Sequence, residues 1–266
     1  MAFSNIVSHN RPNARLNQRL SILNPTASPE KIELMGIPFK SIQISWNRLT
    51  SAKIDFFDLE GASQLFQCAS QMIDCQILSL EHGATTFPMP PIIHHRLKTL
   101  SLCSAKEWGL VPVLLDSLTL PCLHELDIDE AILLTHLTAL VHRSSCPLTR
   151  LTLSLKFRED FPFLDMQPLP GVVDLVVEAL NKEQAFLINK LLLEGYFPNL
   201  QHLTLRLQAF LYLWDMNIIP LLLDRKRREY QFVIGFSPCA LSSCSPLEAE
   251  SRDIGNPIRK PSARHT

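Results

Sequence analysis

One apolar phrase returns along this chain, and it restricts the fold more than any other feature. The phrase reads apolar, two residues, apolar, one residue, apolar. It is cleanest at Leu97, Leu100 and Leu102, at Leu123, Leu126 and Ile128, at Leu148, Leu151 and Leu153, and at Leu200, Leu203 and Leu205. Weaker copies close on Ile32 and Leu34, Ala52 and Ile54, Leu78 and Leu80, and Leu175 and Val177. Counted from the penultimate apolar residue of each copy, the spacings are 20, 26, 22, 26, 25, 24 and 28. Leucine supplies 46 of the 266 residues, as a repeat of this kind requires.

The physical reading is a stack. Alternate residues of a strand face opposite sides, so the last two apolar residues of each phrase point inward together. One such strand cannot bury its apolar face alone, whereas stacked copies form a parallel sheet over a continuous core. Parallel neighbours need a crossover, and the intervening segments can supply it. Gly61 to Asp74 reads as a helix with Leu65, Phe66, Ala69 and Met72 on one side. Ala131 to Arg143 and Lys182 to Glu194 carry apolar residues at similar spacing, and 209–228 reads as a last amphipathic helix kinked at Pro220. Pro121, Pro147, Pro170 and Pro198 each stand just before a phrase and mark strand entrances. The period matches that of leucine-rich repeats, roughly 20–29 residues. The fold expected is therefore α/β: a leucine-rich-repeat-like solenoid over residues 28–236, with seven or eight parallel strands and an irregular helical convex side. The asparagine usual after the phrase is missing, so an uneven arc is expected. Residues 1–27 and 237–266 are polar and aperiodic, and both read as disordered tails. Tyr230 to Phe236 reads as a final strand or end cap.

Charge and cysteine usage narrow the function. The net charge of −1 gives no whole-chain case for nucleic acid or an anionic membrane. No apolar run approaches the ~20 residues of a membrane span. The N-terminus lacks a signal-peptide core. Seven cysteines, with no CxxC pair, argue against a disulfide framework or a metal knuckle and for buried reduced thiols. Cytoplasmic or nuclear residence is the corresponding expectation.

Catalytic phrases are missing. The sequence holds no G-x-S-x-G, P-loop, G-x-G-x-x-G or H-E-x-x-H, so no cofactor is expected and the chain reads as a non-enzyme. His94-His95 reads as a solvated loop rather than a metal site. His136 and His142 read as helix-surface polarity. Arg225 to Arg228 suits a helix C-terminus better than a nuclear address or phosphate contact. Glu125, Asp127 and Asp129 share one strand face, where solvated carboxylates are favoured over a calcium site.

The residues between the inward positions line the opposite face of the sheet. In this phasing the third unit contributes Ile77, Ser79 and Glu81. The eight acidic members are Glu33, Asp55, Glu81, Glu125, Asp127, Asp129, Asp174 and Glu178. The four basic ones are Lys31, Lys53, Arg150 and Arg206, which leaves −4 on the face. The candidate binding residues are Glu125, Asp127, Asp129, Arg150, Asp174 and Glu178, facing a protein partner with a basic surface.

Three stretches also carry a family resemblance. Ile32-Glu-Leu-Met-Gly-Ile-Pro leads into Trp46-Asn-Arg-Leu-Thr. Leu115-Asp-Ser-Leu-Thr-Leu-Pro-Cys-Leu-His-Glu-Leu follows, and then Arg143-Ser-Ser-Cys-Pro-Leu-Thr-Arg-Leu-Thr-Leu. Over residues 28–236 this phrasing resembles the repeat region of the F-box proteins of mushroom-forming fungi. The resemblance implies substrate recognition for a cullin-RING ubiquitin ligase. The F-box itself is an N-terminal helical segment that docks the Skp adaptor, and residues 1–27 are too short and polar to form it. Skp binding is therefore not expected. Two other readings stay open: a degenerate repeat with no selected binding role, and an unrecognised hydrolase.

Overall fold

Turn chemistry sets the strand entrances. The computed structural model describes residues 22–23, 27–37, 39–81, 89–103, 109–129, 134–155, 167–179, 195–207 and 231–236. One four-residue turn recurs in it. The turn closes from the Leu49 N–H to the Trp46 carbonyl (3.1 Å), Met72 to Ala69 (2.9 Å), Leu123 to Leu120 (3.1 Å), Val172 to Leu169 (3.2 Å) and Leu200 to Phe197 (3.3 Å). Pro121, Pro170 and Pro198 take its second position, where a fixed φ fits and no N–H is needed.

Nine parallel strands follow: β1 Lys31–Met35, β2 Ser51–Asp55, β3 Asp74–Ile77, β4 Thr99–Cys103, β5 Glu125–Asp129, β6 Arg150–Leu155, β7 Asp174–Ala179, β8 His202–Leu207 and β9 Gln231–Phe236. They lie side by side in sequence order in one sheet. At each strand mouth one carbonyl accepts two N–H groups of the next unit. Glu30 takes Thr50 and Ser51, Thr50 takes Ile73 and Asp74, and the series continues through Ile73, Lys98, His124, Thr149 and Val173. The expected count was seven or eight; Gln231–Phe236 resolves as a ninth strand rather than a cap.

The third unit corrects the phasing. Ala52 pairs with Cys75 and Ile54 with Ile77, so Cys75 and Ile77 point inward, both fully buried. Leu78 and Leu80 do not hold those positions, and Ile77, Ser79 and Glu81 are not on the open face. Asp74 and Gln76 are. The run Cys75-Gln-Ile-Leu-Ser-Leu80 fits two phasings, and leucine identity favours the wrong one. Hydrogen bonding to both neighbours decides, and Leu80 instead pairs with Phe57 in a short accessory pair, Phe57–Asp58 with Leu80–Glu81. Two further short pairs, Ile22–Leu23 with Ile42–Gln43 and Ile92–Ile93 with Leu118–Thr119, flank the sheet. Regular pairing thus reaches into the segment expected to be a tail.

The inward residues Leu100, Leu102, Leu126, Ile128, Leu151 and Leu175 join one contiguous core with the helices. Helix α1, Leu59–Cys68, starts where the Asp58 carboxylate accepts the Gly61 N–H at 2.6 Å, satisfying one of the free donors of its first turn. It stops six residues short of the expected end, because Ala69 and Met72 belong to the next entrance turn, though both stay buried. Helix α2, Leu110–Ser117, was not legible beforehand. Its unbroken apolar run hides the helical period, and Pro112 reads as a breaker although it sits harmlessly in the first turn. Helix α3, Leu134–Ser144, buries Leu137 and Leu140. The helices expected over 182–194 and 209–228 lie outside the described residues.

Polar side chains tie successive units together. Arg143 donates to the Leu115 carbonyl at 2.7 Å and to the Leu118 carbonyl at 2.7 and 3.0 Å. Ser144 Oγ accepts the Leu120 N–H at 2.9 Å. His94, expected in a solvated loop, is instead buried. One ring nitrogen lies 3.0 Å from the Ala69 carbonyl, and the other accepts the Leu97 N–H at 3.1 Å. This pattern assigns the neutral ring with its proton on Nε2. His95 is exposed, so the two rings diverge as adjacent residues should.

The exit from the first two strands has its own geometry. Gly36 has φ +65° and Phe56 has φ 59°, and they hold equivalent places one step beyond the Met35–Asp55 pair. The left-handed residue breaks the in-out alternation, so that Ile37 and Phe57 enter the core instead. Glycine adopts this conformation freely; an L-residue there costs roughly 1–2 kcal/mol. Phe56→Gly relieves that cost against about 0.5–1 kcal/mol of extra chain entropy. Urea unfolding should therefore show stability unchanged or raised by about 1 kcal/mol, and a clear loss would mean that the Phe56 ring supports the fold.

Candidate functional site

The open face of the sheet is built in three rows by the parallel register. Along the first row run Lys31, Ser51, Asp74, Thr99, Glu125, Arg150, Asp174 and His202. The second carries Glu33, Lys53, Gln76, Ser101, Asp127, Thr152, Val176 and Thr204. The third carries Met35 and Asp55 at one end, and Cys103, Asp129, Ser154, Glu178 and Arg206 at the other. Asp74 replaces Glu81 on this face, so its charge of −4 is unchanged.

All six candidate residues lie on this one face, on strands β5, β6 and β7. Glu125 and Arg150 are exposed and adjacent. Arg150 stands between Glu125 and Asp174, neighbours about 4.8 Å to each side, and so offsets the first row locally. Asp127 is exposed and accepts the Ser101 hydroxyl at 3.3 Å. Crowding in mid-sheet strips enough water from its carboxyl to push it above the usual carboxylate range, and Glu178 and Asp129 add to the rise. The Ser101 hydrogen bond and Arg206 pull it back in part. Asp129 is half-buried, with the Cys103 thiol 3.2 Å from its carboxylate.

The charges are not equally available. Glu178 is engaged by Arg206 at 2.8 Å, and Glu33 by Lys53 at 3.0 Å. Asp174 has His202 at 3.9 Å, and Asp74 accepts the Ser51 hydroxyl at 3.0 Å. Glu125, Asp127 and Asp129 stand together along β5. Ser154 and Val176 hold outward positions yet are buried among their neighbours.

Among the described residues no group of three or more His, Cys, Asp or Glu side chains could hold a metal ion. None of the described helices is long and apolar enough to cross a membrane. The cysteines are less buried than expected: Cys75 is fully enclosed, Cys68 is exposed, and Cys103, Cys122 and Cys146 are intermediate. Burial pushes the Cys75 thiol far up, and Cys146 in the same direction, which disfavours their reactive thiolate form. His136 does more than supply helix polarity, since its Nδ1 lies 2.9 Å from both Asp116 oxygens and bridges α2 to α3.

No family model, curated protein or solved structure matches the chain.

Sequence reasoning missed Asp74 and Gln76, through the phasing error, and Phe56. The signal for Asp74 was available, since shifting the third phrase back by three residues evens the spacing on both sides. For Phe56 the signal was Gly36, which holds the matching step of the preceding unit.

Proposed function

We propose that this chain is a non-catalytic protein-recognition module, a leucine-rich-repeat-like solenoid whose open sheet face engages a partner with a basic surface. The observation that carries this reading is the register, which sets Glu125, Asp127 and Asp129 on one open face, with Asp174 two strands away across Arg150. A face held by a continuous hydrogen-bonded sheet needs little ordering on association, which favours binding. The nearly even stacking of units supports the solenoid. The resemblance to the substrate-recognition region of fungal F-box proteins supports the same partner-binding role.

The test uses a variant with Glu125, Asp127 and Asp129 all changed to serine. Proteins captured by the wild-type chain should be lost or weakened with the variant while its melting curve is retained. For any partner so identified, association should be slowed roughly tenfold or more at low salt. The difference should shrink above about 0.15 M salt, where the Debye length is about 8 Å. An unchanged association rate at low salt rules out the acidic face. With purified components, the chain should form no stoichiometric complex with a Skp adaptor; such a complex would assign adaptor docking to a segment of this chain.

A further inference from the structure

Phe56 is a residue whose position the fold does not explain. The step it occupies needs only a left-handed residue, and Gly36 performs the same step one unit earlier with no side chain at all. The ring is not part of the core, where Phe57 turns inward instead, with 1% of its surface exposed. Phe56 is left 48% exposed, one of two large apolar side chains so placed among the described residues. The chain thus holds an aromatic ring at a strained backbone position, facing water, where glycine would do. Residues held in such conformations are enriched at functional sites.

The surroundings specify what the ring would meet. Asp55 precedes it on the open face. Asp58 and Glu81 are register partners in the short pair that follows; Asp58 also caps α1, and Lys40, paired with Glu60, lies within reach of its charge. Lys53, the nearest cation along the strand, is already engaged by Glu33. An aromatic face in acidic surroundings suits a cation, above all a guanidinium, which can stack on the ring while its fork bonds a carboxylate. Phe56 follows β2 directly and Asp127 sits on β5 in register with Lys53, so they lie about 14 Å apart across the strands and about 10 Å along them, roughly 17 Å in all. About five to six extended residues span that distance.

Resting on the recognition role proposed above, we propose that Phe56 is the aromatic anchor of the interface. It takes an arginine side chain of an extended, basic partner segment that continues across the open face to Asp127. The ring supplies the contact that a purely electrostatic face lacks, and it fixes where along the sheet the segment begins.

The experiment titrates an arginine peptide of about six residues against the whole chain and its variants, by fluorescence anisotropy at low salt. A lysine peptide and a neutral serine peptide of equal length serve as comparisons. Arginine should bind more tightly than lysine, and serine should not bind. Phe56→Gly should weaken arginine binding by about threefold to tenfold with a melting temperature no lower than that of the wild type, and Phe56→Tyr should retain binding. The serine triple variant at Glu125, Asp127 and Asp129 should weaken both basic peptides and flatten their salt dependence. If Phe56→Gly binds like wild type while the triple variant does not, the anchor is wrong and the acidic face stands. If the triple variant also binds like wild type, or no basic peptide binds, both readings fall. Arginine and lysine peptides equally weakened by Phe56→Gly would overturn the guanidinium preference.

Discussion

Leu126→Ala lowers stability by about 2–5 kcal/mol, whereas Asp127→Ala, one residue on, changes it by no more than about 0.5 kcal/mol. Leu126 is 1% exposed and lies in register between Leu100 and Leu151, both fully buried. Truncation removes methyl groups from a layer whose neighbours above and below are held by backbone hydrogen bonds. The layer cannot collapse around the hole, so the transfer and cavity terms add. Leu151→Ala should behave alike. Asp127 lies on the other side of the same strand, and its carboxyl is raised, not lowered, by its surroundings. A raised carboxylate binds its proton more tightly when folded, so its charge disfavours the fold above that raised value. At neutral pH its removal is therefore neutral or mildly stabilising. Urea midpoints at constant slope measure both effects, and equal losses for the two variants would reverse the inward-outward assignment.

That assignment was legible because the phrase states the alternation twice in each unit and nearly every unit repeats it. Leu100, Leu126, Leu151 and Leu203 could be placed side by side before any coordinates, as could the opposite face carrying Glu125, Asp127, Arg150 and Asp174. What escaped was information held in pairing rather than pattern. The third unit has apolar residues at Cys75, Ile77, Leu78 and Leu80, and only bonds to Ala52 and Leu100 on either side choose among them. Helix α2 escaped because its apolar residues go all the way round, which erases the period. The ion pairs of Glu33 with Lys53 and Glu178 with Arg206 join units 20 and 28 residues apart, so a count of charges saw them as independent.

Ser144→Ala leaves the Leu120 N–H without its acceptor and should cost about 1–3 kcal/mol, more than the loss of one hydroxyl suggests. Ser144 is 4% exposed and Leu120 is fully buried, so water cannot stand in. Arg143 acts beside it. Helix α2 ends at Ser117, and the guanidinium from the next unit donates to the carbonyl of Leu115, which also accepts the Leu118 N–H, and to the carbonyl of Leu118 itself. Arg143→Ala should cost about 1–2 kcal/mol, less than a buried charged pair, because part of the side chain meets solvent that can replace it. Arg143→Lys should recover little, since one ammonium cannot reproduce a fork that reaches two carbonyls. These two residues open the Arg143-Ser-Ser-Cys-Pro-Leu phrase, so the phrase has a structural duty: it clasps one unit to the one before. The double variant should lose less than the sum of the single losses, because each weakens the same contact between α2 and α3. Amide exchange separates this clasp from a general loss of stability. Leu120 should lose protection in Ser144→Ala well before Leu126 does, and equal loss at both amides would show that Ser144 supports the fold globally rather than joining these two units.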